Sequence, residues 1–145
     1  MKIAICGGPR TGKSTFASKL AGELGIALFS TGKKALVATD NFMHVGWENV
    51  PRLVMERLCE LDDWILEGTQ ATRVLRYWYK TDPDSLKLDR VYFFDRPWVV
   101  RNGGQNGMAK GVATIWRDVR PELIRRDVPI VYGVDRDESL GRRTA

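Results

Sequence analysis

A chain of 145 residues with 43% hydrophobic and 28% charged side chains has the size and balance of one soluble globular domain, which argues against disorder, fibrous repeats or a second domain. Its net charge of +5 favours an anionic partner and leaves nucleic acid, nucleotide and phosphorylated metabolite all open. No apolar run reaches the ~18 residues of a membrane span, and Met1-Lys2-Ile3 opens on a strand pattern without a signal-peptide pattern, so a cytoplasmic protein is expected.

Residues 2 to 6 are apolar and partly β-branched, carry Cys6, and stop at Gly7 and Gly8, as in a buried parallel strand. The stretch GGPRTGKS follows, and from residue 13 to about 24 Phe16, Leu20 and Leu24 recur at helical spacing. Two segments compete for the second strand, residues 26 to 31 (IALFST) and 35 to 39 (ALVAT); the later one is preferred because its end presents Asp40. Pro51 fits the first turn of a helix running to about residue 61, with Leu53, Val54, Leu58 and Leu61 on its apolar stripe. Cys59 lies on that helix, and both cysteines read as reduced core residues, since their spacing suits neither a metal nor a bridge.

Residues 63 to 67 (DWILE) form the third predicted strand, closed by Gly68, and residues 72 to 79 resume a helical pattern. After the Thr81-Asp82-Pro83-Asp84 turn, residues 91 to 95 (VYFFD) form the fourth. A short helical stretch is expected after Pro97, dissolving into Asn102-Gly103-Gly104-Gln105-Asn106-Gly107, which reads as an irregular hinge. Residues 113 to 126 are helical around Pro121, and residues 129 to 132 (PIVY) are the fifth strand. Residues 133 to 145, with Arg136, Arg142 and Arg143, read as a polar, solvated tail. Strands alternating with helices predict an α/β fold over residues 1 to 132: a three-layer sandwich on a five-stranded parallel sheet.

Gly7, four residues, then Gly12, Lys13 and Ser14 reproduce the P-loop spacing GxxxxGK[ST], and the motif sits between a strand and a helix as it must. In such a loop, formed here by Gly8, Pro9, Arg10, Thr11, Gly12, Lys13, Ser14 and Thr15, backbone N–H groups surround phosphate oxygens and the helix adds its positive end. Lys13 reaches the outer phosphates and Ser14 offers a hydroxyl to Mg2+. The expected cofactors are ATP or GTP, with ATP taken as the donor, and Mg2+.

GGPRTGKST, WILEGTQATR (residues 64 to 73) and VYFFDRPWVVR (residues 91 to 101) together resemble the small P-loop kinases of the adenylate kinase and nucleoside kinase type, over most of residues 1 to 132. ATDNFMHVGW, LEGTQATRVLR and GMAKGVATIWRD are similar to a family of small phage and bacterial proteins described as P-loop ATPases or kinase-like. The resemblance implies that Glu67 holds Mg2+ through water or orients the nucleophile, and that Asp40 is a general base or a metal ligand. As a plain helix N-cap, Asp40 would read the same. The pattern departs here, because adenylate kinases follow the STG triplet with Asp, whereas Ser30-Thr31-Gly32 is followed by Lys33.

By the same resemblance Arg73 binds the acceptor, with Arg76 on the same helix face, and residues 101 to 118 form a short lid whose Lys110 and Arg117 close over the phosphates. His44, the single histidine, reads as structural, and Trp47 as pocket wall or a surface on which a base stacks. The leading function is a phosphotransferase moving the γ-phosphoryl group of Mg-ATP to a nucleoside, nucleotide or related small molecule. The alternatives are a kinase acting on a base or strand end of DNA or RNA, and an NTP-binding or NTPase module without an acceptor.

Overall fold

The computed structural model describes residues 1 to 31, 40 to 41, 46 to 97 and 100 to 133. The candidate strand at 35 to 39, His44, Trp98 and the arginines of the tail lie outside the described residues.

In chain order the elements are β1 (Lys2–Gly7), α1 (Lys13–Leu24), β2 (Leu28–Ser30), β3 (Asp40–Asn41), α2 (Val50–Leu58), β4 (Trp64–Glu67), α3 (Ala71–Thr81), β5 (Arg90–Phe94), α4 (Gly103–Arg125) and β6 (Ile130–Tyr132), with a 3-10 turn at Pro83–Ser85. The strands form one sheet of order β3-β2-β4-β1-β5-β6, and every pairing is parallel. β1 is central, and its Ile3, Ala4, Ile5 and Cys6 are wholly buried, as a strand covered on both faces must be. Alternation along the strands divides the core. Ile3, Ile5, Leu28, Ile65, Tyr92 and Phe94 pack against Ala17 and Ala21 of α1. On the other face Ala4, Cys6, Phe29, Leu66, Val91 and Phe93 meet α2, α3 and α4. The result is the three-layer sandwich expected.

The structure departs from the sequence reading at five places. The second strand is β2, within IALFST: Gly25, left-handed at φ 67, ends α1, and Leu28 and Phe29 are then buried beside Ile65 and Leu66. A sixth strand, the two residues Asp40–Asn41, extends the sheet beyond the five expected. The Asn102 to Gly107 run is regular structure. Asn102 accepts from the Gln105 amide at 2.8 Å while the Gln105 side chain accepts from the Asn102 amide at 3.0 Å, and this capping box starts the 23-residue α4. Its glycines weaken the helix, but Val112, Trp116, Val119 and Leu123 anchor it to the core, Trp116 stacking on Phe93 at 4.3 Å. The short helix expected after Pro97 is absent at Pro97 and Val100, which are irregular. Finally, Cys59 is exposed: the buried stripe of α2 is Val50, Val54 and Leu58, and the next residue turns away from it.

Candidate functional site

The carboxyl ends of β1, β4 and β2 converge, and the loop from Gly8 to Gly12 leads from β1 into α1. Gly12 is the N-cap of α1 and supplies no side chain to it, and the first turn carries no acidic residue, so the helix presents bare N–H groups and its positive end to the loop. Inside the loop the Thr11 hydroxyl donates to the Gly8 carbonyl at 3.0 Å and the Lys13 ammonium donates to the same oxygen at 2.8 Å. Lys13 is buried. Burial pushes its pKa below the ordinary lysine value, the Glu67 carboxylate and Cys6 pull it back up, and Arg101 lowers it further.

Glu67 ends β4 and is 1% exposed, an unusual position for a carboxylate. The register explains how it is held: Glu67 lies beside Ile5 of β1 and Ser30 of β2. The Ser30 hydroxyl donates to one carboxylate oxygen at 2.6 Å and the Ser14 hydroxyl, from the first turn of α1, donates to the other at 3.3 Å. Ser14 and Glu67 are hard oxygen donors of the kind that hold Mg2+ together with phosphate oxygens and water. No group of three or more metal-ligating His, Cys, Asp or Glu side chains occurs among the described residues, so an ion there would rely on such outside ligands. Behind Glu67, Gly68 adopts φ +139 and brings its backbone against Thr31, whose amide donates to the Glu67 carbonyl at 3.0 Å.

On the β5 side a cavity of about 450 Å³ opens between Gly8, Phe94, Asp95, Arg101, Asn106 and Lys110. Arg101 donates to the Pro9 carbonyl at 2.9 Å, and a Cβ built on Gly8 would lie 2.8 Å from its guanidinium. The guanidinium therefore sits directly on the loop. Lys110, predicted for the lid, lines this cavity, whereas Arg117 is exposed about two helical turns further along α4 and does not line it.

On the β2 side Arg73, in the first turn of α3, donates to the Trp47 carbonyl at 3.0 Å and to the Gln70 side chain at 2.7 Å. Arg76 instead pairs with Asp118 at 3.3 Å. Trp47 is 64% exposed, unlike Trp64, Trp78 and Trp116, which are core residues. Asp40 stands at the sheet edge in register with Phe29, and it is Asn41 that shares the register row of Ser30 and Glu67.

The structure thus brings Lys13, Ser14, Glu67 and Lys110 around one loop and sets Arg73 to one side. Sequence reading missed Ser30, Gln70 and Arg101. The signal for Arg101 was present, since it is the last cation before the Asn102 cap, but only the fold turns it back onto Pro9.

No family model matches the chain. It is similar to Adenylate kinase 2 of Nostoc sp. (strain PCC 7120 / SAG 25.82 / UTEX 2576), 27% identical over an alignment of 151 positions, with 91% of this chain and 79% of that protein covered. Its fold is similar to the crystal structure of shikimate kinase from Aquifex aeolicus, with a TM-score of 0.53, 18% identity, and coverage of 96% of this chain and 90% of that one.

Proposed function

We propose that this chain, a small P-loop protein of the nucleotide kinase-like kind, is an ATP-dependent phosphotransferase acting on a small-molecule acceptor. One observation carries the reading: a buried carboxylate, Glu67, joined by hydrogen bonds to Ser14 of the loop and Ser30 of the neighbouring strand, with Lys13 alongside.

Bound Mg-ATP supplies the electrophilic phosphoryl group and the metal charge that neutralises its oxygens. The chain supplies the rest. Loop amides and the α1 N-terminus hold the phosphates, and Lys13 exchanges its bond to the Gly8 carbonyl for the outer phosphates. Ser30 fixes one Glu67 oxygen so that the other stays at Ser14, where the two side chains would hold Mg2+. Arg101 and Lys110 offset charge on the β5 side and exclude water, while Arg117 stands away from the cavity. Arg73 faces the acceptor on the β2 side, and Asp40 is the base for an acceptor hydroxyl.

The test is transfer from γ-labelled ATP, with Mg2+, to a panel of nucleosides, nucleotides, hydroxy acids and oligonucleotides. Label on one class of small molecule is expected, and Asp40→Asn should lose transfer while keeping ATP binding. ATP turnover indifferent to every acceptor would establish an NTPase instead, and failure to bind ATP would sink both readings.

A further inference from the structure

Arg10 stands at the centre of the Gly8 to Gly12 loop in a backbone conformation that its side chain disfavours. Its φ is 62, in the left-handed region. Pro9 and Arg10 form the middle of a turn, and a residue that takes a positive φ after a turn proline is ordinarily glycine. Among the described residues the other non-glycine with a positive φ is Asp127, just past the end of α4, a short polar residue of the kind that tolerates it. A long cation is not of that kind.

The loop gives Arg10 no relief. Thr11 and Lys13 both donate to the Gly8 carbonyl, and Arg101 donates to the Pro9 carbonyl at 2.9 Å, so the chain entering Arg10 is pinned by other residues. Arg10 itself is exposed, and no hydrogen bond, ion pair or ring contact engages its side chain among the described residues. It lies two residues ahead of the N-cap Gly12, at the positive end of α1, with Lys13 and Arg101 as neighbouring cations. Strain that the surroundings enforce on a residue with no packing role points to function.

The chemistry of the loop says which function. Its backbone N–H groups cradle the inner phosphates and Lys13 reaches the outer ones, so a flexible cation rooted on the rim has the outer phosphoryl group within its range. We propose that Arg10 is a catalytic arginine carried by the phosphate-binding loop itself, its guanidinium contacting the γ-phosphoryl group as it transfers. The role rests on the kinase reading, with ATP as donor. As the bond from the acceptor oxygen to phosphorus forms, the bond from phosphorus to the bridging oxygen breaks; its electron pair stays on the departing ADP, and the acceptor's proton goes to the base. Charge shifts onto the bridging oxygen while the equatorial oxygens carry the rest, and a planar cation with five donors suits both. Lys13 is buried and Arg101 spends its Nε on Pro9, whereas Arg10 is free to follow the group across.

The test compares Arg10→Gly, which removes strain and cation together, with Arg10→Ala, which removes the cation and keeps most of the strain, and with Arg10→Lys. Each is melted, titrated calorimetrically with Mg-ADP, and assayed with γ-labelled ATP and Mg2+ for label passed to nucleosides, nucleotides, hydroxy acids, oligonucleotides and water. Arg10→Gly should melt roughly 2 to 5 °C above wild type and Arg10→Ala should gain less. Both should lose about a hundredfold or more in transfer while Mg-ADP affinity stays within about threefold, and Arg10→Lys should keep part of the rate. A merely structural residue would lose stability and rate together. Transfer in Arg10→Gly within about threefold of wild type, a Mg-ADP affinity that falls as far as the rate, or a lowered melting temperature in Arg10→Gly would each overturn the proposal. Label that reaches water alone, and is lost in Arg10→Gly, refutes the kinase reading and keeps Arg10 in the chemistry; label on an acceptor that Arg10→Gly passes unimpaired refutes the role of Arg10 alone. A wild type that neither transfers nor hydrolyses overturns both.

Discussion

Replacing Gly68 by alanine strikes the joint behind Glu67. The added Cβ would lie 1.8 Å from the Thr31 hydroxyl oxygen, 3.0 Å from its Cβ and 3.2 Å from its backbone nitrogen. Thr31 cannot simply swing aside, because its amide donates to the Glu67 carbonyl at 3.0 Å and its hydroxyl accepts from Gln70. Holding a side chain at φ +139 costs about 1 to 3 kcal/mol, and clearing the overlap roughly 1 to 3 kcal/mol more. The sum, about 2 to 6 kcal/mol, is a large part of the roughly 7 to 20 kcal/mol expected of a domain this size. Thermal and urea denaturation followed by circular dichroism should show a melting temperature lower by roughly 5 to 20 °C. Gly22→Ala is the control: it has no neighbour within 4 Å in α1 and should stabilise by up to about 1 kcal/mol. A Gly68→Ala loss below about 1 kcal/mol would refute the argument that the β2 and β4 ends are locked through this backbone contact.

Glu67→Gln keeps the shape and one acceptor oxygen, and either Ser14 or Ser30 can turn its hydroxyl to accept from the new amide, so melting should move by only a few degrees while Mg2+-dependent ATP turnover falls about a hundredfold or more; turnover within about threefold of wild type would remove the carboxylate from the chemistry. Native alkylation near pH 8 should label the exposed Cys59 and spare Cys6, whose thiol is pushed up to about 12 by burial, with Lys13 opposing and Glu67 adding. The stability linked to the Cys6 proton is complete below the ordinary value of 9.0 and is lost as pH rises from there through about 12, so Cys6 labelling in the native protein should track global unfolding and quicken across that window. Comparable native labelling of both cysteines would contradict the burial. Asn102→Ala removes half of the capping box and should cost about 1 kcal/mol in a urea melt, with no effect expected on the melting of β1 and β4 neighbours beyond that global loss.

Much of the donor half of the site is legible in the chain because it is local. A strand, a glycine-rich turn and a helix follow one another within residues 2 to 24, so the spacing of Gly7, Gly12, Lys13 and Ser14 fixes their relative positions once those elements form. Glu67 was legible for a related reason: it ends an apolar strand, and the end of a parallel strand beside the P-loop strand lies at the ligand edge. Residues 102 to 107 are helical against their glycine content because the Asn102 and Gln105 side chains cap the helix and core contacts further along α4, invisible in local composition, offset weak propensity. The second strand forms within IALFST because α1 stops at the left-handed Gly25 and the chain turns at once into the sheet beside β4, whereas residues 35 to 39 lie outside the described residues.

The sequence by itself therefore determined the layer order of the fold and the phosphate-binding loop, since hydrophobic period and short-range spacing act within one or two elements. Tertiary structure decided which side chains share the space around that loop. Ser30 meets Glu67 only through strand register, Arg101 meets Pro9 only because β5 pairs with β1 and sets the segments after them side by side, and Trp47 meets Arg73 only where α3 begins. Those contacts join residues far apart in the chain, and no local pattern encodes them; they follow from which strand ends lie side by side in the order β2-β4-β1-β5.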